Sequence, residues 1–202
     1  MKLIVFGATG NTGLELLDQG IAAGHAMTAF VRDAARIGDR KARIVTGDVL
    51  DEAAVTQAIR GHDAVLSGLG TRPWRHVDIC SSATPVITRA MAAAGVKRIV
   101  VLSSQGVGDS TLGAVGKLFG ALALRRAFAD KLAMETSLAA TDRDWIVVRP
   151  GILTNGKPRG VWRAAIDNSL RGGRIARADV AAFMLQQLGS DEFVRHKPVL
   201  VW

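Results

Sequence analysis

Near its start the chain reads Gly7-Ala8-Thr9-Gly10-Asn11-Thr12-Gly13, three glycines in a G-x-x-G-x-x-G spacing. Glycines so spaced permit a tight turn, bring backbone N–H groups close to a pyrophosphate, and let the next helix aim its N-terminus at the anion. The chemistry is dinucleotide binding, with Gly7, Thr9, Gly10, Asn11, Thr12 and Gly13 as cofactor contacts. Nineteen residues beyond Gly13 stands Arg32, where NAD-selective chains carry an acid for the ribose 2′-hydroxyl. A guanidinium there suits a 2′-phosphate by charge and by its fork of donors, and Arg36 offers a second contact. The expected cofactor is therefore NADP(H). Asp33 has two possible uses, accepting from a ribose or pairing with an arginine.

Further candidates follow at intervals. In Gly47-Asp48-Val49 the carboxylate suits an adenine amino group, or else a helix-initiating turn. Leu69-Gly70-Thr71 belongs at the edge of a sheet where ligands lie, with Arg72, Pro73, Trp74 and Arg75 as part of a substrate mouth or a simple exposed turn. Ser103-Ser104-Gln105-Gly106 presents hydroxyls that suit a reacting carbonyl or a nicotinamide amide; the plain use is a serine bonding its own backbone. Ser104 is the catalytic candidate there and Ser103 a cofactor contact. Lys131 is a second catalytic candidate, placed to reach the nicotinamide ribose, although most helical lysines are simply solvated.

These residues need elements to hold them. Lys2–Phe6 is a short apolar strand running into the glycine turn, and Leu14, Leu17 and Ile21 recur at helical spacing over 12–23. The pattern repeats, with strands at 27–31, Arg43–Thr46 and 64–66 and a helix at 53–59. A long helix over 77–94 ends at Gly95, and strands at 99–102 and 145–148 are separated by a helical stretch from 118 to 140. Beyond Pro150 come a glycine- and proline-bearing loop at 154–160, a small strand within 161–166, Asp179 as N-cap of a helix over 180–188, and a closing strand at 198–202. Alternation of this kind gives an α/β fold: one Rossmann-type, doubly wound parallel sheet with helices on both faces. A single domain over 1–202 is expected, with a small substrate-side region around 151–177.

Composition excludes other classes. The chain has 202 residues, one Cys and four His, so Cys80 cannot form an intrachain bridge. His25, His62, His76 and His196 lack ligand spacing, and no metal is expected. Apolar runs fall far short of the roughly 20 residues of a membrane span, and the start shows no cleavable signal. A soluble, cytoplasmic protein is expected, a monomer or weak homodimer. The net charge of +8 is scattered in small groups such as Lys97/Arg98, Arg125/Arg126 and Arg159/Arg163. An anionic small ligand accounts for that scatter better than a nucleic acid does.

With these motifs the chain resembles the short-chain dehydrogenase/reductase superfamily, among its atypical members with a G-x-x-G-x-x-G turn. Classical members use a Tyr-x-x-x-Lys pair as proton donor and partner; this chain has no Tyr, and four residues before Lys131 stands Ala127. A closer resemblance is to the biliverdin-IXβ reductase (flavin reductase) family and its NAD(P)H-binding bacterial relatives. The similar stretches are F-G-A-T-G-N-T-G (6–13), V-R-D (31–33), G-D-V-L (47–50), D-A-V-L (63–66), L-G-T-R (69–72) and R-x-D-V-x-x-F-M-L (177–185). The resemblance implies hydride passage from NADPH to a flavin or open tetrapyrrole without a tyrosine acid. It matches the active-site serine to Ser104 and sets Pro150, Gly151 and Ile152 against the nicotinamide amide. The chain departs from the vertebrate enzyme in having no histidine between His76 and His196, and in its loop Gly106-Val107-Gly108-Asp109-Ser110, which leads into an apolar run at 112–124, a lid or ordinary helix core. The expected activity is NADPH-dependent reduction of flavins, quinones or bilin-like conjugated acceptors. The alternative is a redox sensor of the NmrA type that binds NADP(H) without catalysis.

Overall fold

A computed structural model describes residues 1–70, 78–110, 125–167 and 169–202. The early strands are β1 (Lys2–Phe6), β2 (Ala26–Val31), β3 (Arg43–Thr46), β4 (Ala64–Ser67), β5 (Arg98–Leu102) and β6 (Asp144–Pro150). Between them lie helices α1 (Asn11–Ala22), α2 (Glu52–Ile59), α3 (Ile79–Ala94) and α4 (Arg125–Ala139). These strands pair in parallel in the order β3-β2-β1-β4-β5-β6. The order reverses between β1 and β4, which opens a crevice at the carboxyl edge where the glycine turn emerges.

Near-continuous apolar strands are what a sheet covered on both faces requires. Leu3 and Val5 of β1 pack with Leu16 and Leu17 of α1, whereas Ile4 and Phe6 pack with Val55 of α2, Ile87 of α3 and the layer under α4. The doubly wound reading therefore holds, with α1 on one face and α2, α3 and α4 on the other. At its N-terminus α3 has no side-chain cap of its own; buried Asp130 of α4 takes that place, accepting from the backbone N–H groups of Cys80 and Ser81 at 3.1 and 2.7 Å. Among the described residues, no helix is long and apolar enough to cross a membrane, and no His, Cys, Asp and Glu group is placed to hold a metal ion.

After Pro150 the structure adds what the sequence only partly indicates. β7 (Ile152–Thr154) pairs with β9 (Arg174–Ala176) in a separate two-stranded ribbon. β8 (Arg163–Ala165) and β10 (Val199–Val201) extend the main sheet beyond β6, β10 in parallel and β8 antiparallel at the edge. β7 and β9 have no counterpart in the sequence reading, because three-residue strands carry too few positions to show a period. The last helix, α5 (Arg177–Gln186), starts earlier than expected and packs beside α1. Its N-cap is Ala176, so Asp179 is not the cap. Asp179 lies within the first turn, 1% exposed, and accepts from the Arg159 and Gly160 N–H groups and from the Trp202 indole at 2.7 to 3.0 Å. It draws three donors from distant segments, whereas a cap would use donors of its own helix. Arg159 completes the clamp by stacking 4.0 Å above the Trp202 ring.

Candidate cofactor and acceptor site

The glycine turn is built by contact of backbone on backbone. Gly7 directly follows β1 at φ +73°, and a Cβ there would lie 2.6 Å from Gly68 C and Leu69 N at the exit of β4. At Gly13 a Cβ would lie 2.2 Å from the Gly7 carbonyl, so α1 sits directly on the turn. Gly10 is the N-cap of α1 in extended conformation, and no side chain caps the helix. Its Cβ position meets only the Gly7 and Gly68 carbonyls, at 3.3 and 3.9 Å. The result is a side-chain-free cradle at a helix N-terminus, which fits a dinucleotide pyrophosphate. Thr9 is half-buried at its rim, Asn11 is exposed, and Thr12 is buried beneath.

Arg32 is exposed directly after β2, and Arg36 is exposed at the end of a short 3-10 turn, Ala34–Arg36. The Asp33 carboxylate caps that turn, accepting from Ala35 N at 2.9 Å. At the next strand exit, exposed Asp48 accepts from Leu50 N at 3.0 Å, Val49 is buried, and Asp51 caps α2 through Ala54 N. Asp48 thus closes the turn that leads into α2, while Asp51 is the cap. Leu69 is half-buried and Gly70 exposed beyond β4. Thr71, the mouth residues Arg72, Pro73, Trp74 and Arg75, and the run 112–124 lie outside the described residues.

Across the crevice, the ends of β5 and β6 stay in register past the strands. Ser103 N donates to Val148 O at 2.7 Å and Gln105 N to Pro150 O at 2.9 Å. Ser104 is half-buried, and its hydroxyl donates to the Gln105 carbonyl at 3.1 Å, the plain use foreseen for a strand-end serine. Lys131 reaches the same place from α4, its Nζ donating to the Leu102 carbonyl at 3.2 Å. Burial pushes the Lys131 ammonium down from the ordinary lysine range, with Cys80, Asp130 and Glu135 acting in the opposite sense. Pro150 and Gly151 are buried, whereas Ile152 is 71% exposed. Gln105 donates from Nε2 to Leu170 O, and Ile152 N to Gly173 O, so the 169–173 loop is tied to both strand exits. Beside it, at the carboxyl end of β10, a groove of about 240 Å³ is bordered by Arg163, Arg171 and Val201. Ser103, Ser104, Lys131 and Pro150 to Ile152 are thereby brought together, at the carboxyl edge of the sheet that also carries the glycine cradle.

Sequence reasoning missed the most buried polar group nearby. Glu135 of α4 is fully buried; it accepts from Ser103 Oγ at 2.6 Å and from Arg149 Nε and Nη2 at 3.1 and 2.5 Å, with Lys197 Nζ at 3.4 Å. Arg149, 3% exposed, also donates to Asp109 at 2.6 Å, which holds that carboxyl below the usual carboxylate range. The only available signal was a glutamate one turn after Lys131 on the same helical face.

Similarity to known proteins accords with this geometry. A family model described as NAD(P)H-binding matches residues 7–191. The chain belongs to that NAD(P)H-binding family. An uncharacterised chloroplastic protein of Arabidopsis thaliana is 27% identical over 212 residues, covering 95% of this chain and 73% of its own. The anaerobilin reductase ChuY of Escherichia coli O157:H7 superposes with a TM-score of 0.86 at 24% identity, covering 100% of this chain and 97% of its own. A short-chain dehydrogenase/reductase of Veillonella parvula, crystallised with NADP, gives 0.86 at 14% identity, with 100% and 94% covered. The fold is the NAD(P)-binding Rossmann fold.

Proposed function

We propose that the chain is an NADPH-dependent reductase of flat conjugated acceptors, flavins, quinones or bilins. The observation that carries this reading is a crevice with a dinucleotide cradle on one side and Ser104 and Lys131 on the other, in a chain without any tyrosine. Bound NADPH supplies the hydride, and the acceptor's proton comes from water, so no tyrosine acid is required. The chain's own part is to bind, orient and shield. Arg32 and Arg36 hold the 2′-phosphate, the first turn of α1 holds the pyrophosphate, Asp48 and Val49 flank the adenine, and Leu69 and Gly70 border the cofactor at the exit of β4. Ser103 and residues Pro150, Gly151 and Ile152 border the nicotinamide. Ser104 turns its hydroxyl from Gln105 O to the nicotinamide or acceptor, and Lys131 steadies the ribose.

The substrate-side region supports an acceptor that is apolar yet anionic at one end. Ile152, Val161 and Ile166 are 71, 67 and 59% exposed there, and the neighbouring groove is bordered by Arg163 and Arg171. A small-molecule partner is thus favoured over a macromolecule. One observation favours the sensor alternative: the Ser104 hydroxyl bonds its own neighbour, as a merely structural serine does. Stopped-flow absorbance of NADPH with FMN, a quinone and biliverdin separates the two readings. A reductase oxidises bound NADPH faster than the acceptor does in free solution, and Ser104→Ala lowers kcat/KM by about 1–3 kcal/mol, roughly 5- to 150-fold. No acceleration with any acceptor overturns the enzyme reading.

A further inference from the structure

The Glu135–Arg149 ion pair lies under the two strand exits that border the nicotinamide half of the site, on the opposite side of the sheet from α1. Ser103 and Arg149 continue the alternation that sends Val101 and Val147 into the α3 and α4 layer, so both side chains drop onto Glu135. Each is followed at once by residues of the proposed site: Ser104 after Ser103, and Pro150 after Arg149. One buried carboxylate therefore holds the turn after β5 by its side chain and the loop after β6 through the guanidinium. Arg149 extends the link to Asp109, in the 106–110 turn that Ser110 closes with bonds to Gly106 N and Val107 O, both at 2.8 Å.

Burying such a pair is a poor way to gain stability, because desolvation of both charges offsets their attraction and an apolar pair of similar volume does as well or better. What the pair does supply is a fixed geometry: a bidentate guanidinium–carboxylate contact with the remaining lone pairs taken by a hydroxyl and an ammonium. We propose that Glu135 and Arg149 are positioning residues that set the separation of the Ser103-Ser104 turn from the Pro150-Gly151-Ile152 loop, and thereby where the nicotinamide ring is held. This rests on the reading of those two segments as the nicotinamide walls. Reacting groups displaced by about 1 Å lose on the order of 100-fold in rate. The adenosine half, held by the glycine cradle and Arg32, is untouched by the pair.

Two variants and four measurements test it. Glu135→Gln keeps the shape and removes the charge. Ser103 borders the cofactor only through its backbone, its hydroxyl being turned onto Glu135, so Ser103→Ala leaves the ion pair intact, takes no side chain from the cofactor and frees only the turn; it remains informative if the first variant fails to fold. With each, NADPH affinity is expected to stay within about 3-fold while single-turnover hydride transfer to FMN falls roughly 10- to 100-fold. The deuterium isotope effect on steady-state turnover with 4-deuterated NADPH should rise as that step becomes limiting. In parallel, transferred-NOE NMR of bound NADP⁺ should retain adenine H2 and H8 contacts and lose those of nicotinamide H2 and H4. The NMR measurement needs no turnover, so it judges the positioning role even if wild-type protein reduces no acceptor, a result that removes the reductase reading alone. Unchanged nicotinamide contacts in the folded variants, with only a lowered melting temperature, make the pair purely structural and overturn the proposal.

Discussion

Alanine placed at each glycine of the first turn should divide the turn into a part that folds and a part that binds. At Gly7 the added Cβ falls 2.6 Å from backbone of Gly68 and Leu69, with φ at +73°. The left-handed conformation costs about 1–2 kcal/mol for a residue with a β-carbon, and overpacking against backbone about 1–3 kcal/mol. The sum, about 2–5 kcal/mol, is a large part of the roughly 5–15 kcal/mol that holds a domain folded. At about 2–4 °C per kcal/mol for a chain of this size, Gly7→Ala should lower Tm by roughly 4–20 °C. Gly13→Ala, with a 2.2 Å approach to the Gly7 carbonyl, should do at least as much. Gly10 differs: its φ of −76° suits any residue, and the nearest atom to an added Cβ is the Gly7 carbonyl at 3.3 Å. The small contact and the poorer N-cap are set against a less flexible unfolded chain, leaving Tm within about 4 °C. Yet that Cβ enters the cradle. Losing one charge-assisted bond of about 1.5–3 kcal/mol weakens NADPH roughly 10- to 150-fold. Circular dichroism melts beside calorimetric NADPH titrations give both quantities. A Gly10→Ala protein that melts and binds like wild type refutes the placing of the pyrophosphate, and a Gly13→Ala protein of unchanged Tm refutes the packing of α1 on the turn.

Other outcomes follow from the same structure. Arg32→Ala should weaken NADPH roughly 10- to 100-fold and leave NADH nearly unchanged, because only the 2′-phosphate distinguishes the two; equal losses by calorimetry remove the assignment. Asp179→Ala leaves the Arg159, Gly160 and Trp202 donors without their acceptor, and about 2–5 kcal/mol should be lost, a Tm drop of roughly 4–20 °C. His62 is bonded to Thr28 Oγ1 and Ile59 O, and burial, the largest cause, pushes its pKa below the usual 6.5. The unfolded chain then takes up the proton first as pH falls, so stability is full above about pH 6.5 and declines below it until the folded-state value is passed. In denaturant titrations between pH 7.5 and 5, His62→Gln should show a shallower decline; an equal slope excludes His62 as the source.

Local sequence determined the front half of the molecule. An apolar strand, a glycine turn and a helix of period 3.6 lie within the first 22 residues, and each is specified by neighbours in the chain: the turn by its glycines, the strand by its unbroken apolar run. For that reason the element types through β6 could be read along with the parallel, doubly wound sheet, the cradle, and the NAD(P)H-binding family. Tertiary structure alone decided the rest, since those features depend on partners far apart in sequence. Asp179 reads as a cap by position, but its donors come from residue 159, residue 160 and residue 202. Asp130 and Glu135 read as ordinary charges on a helix, yet packing turns one onto the N-terminus of α3 and the other onto Ser103 and Arg149. A buried charge is tolerated only where the fold brings its counter-charge and donors to it, and no local pattern in the chain encodes where those will be.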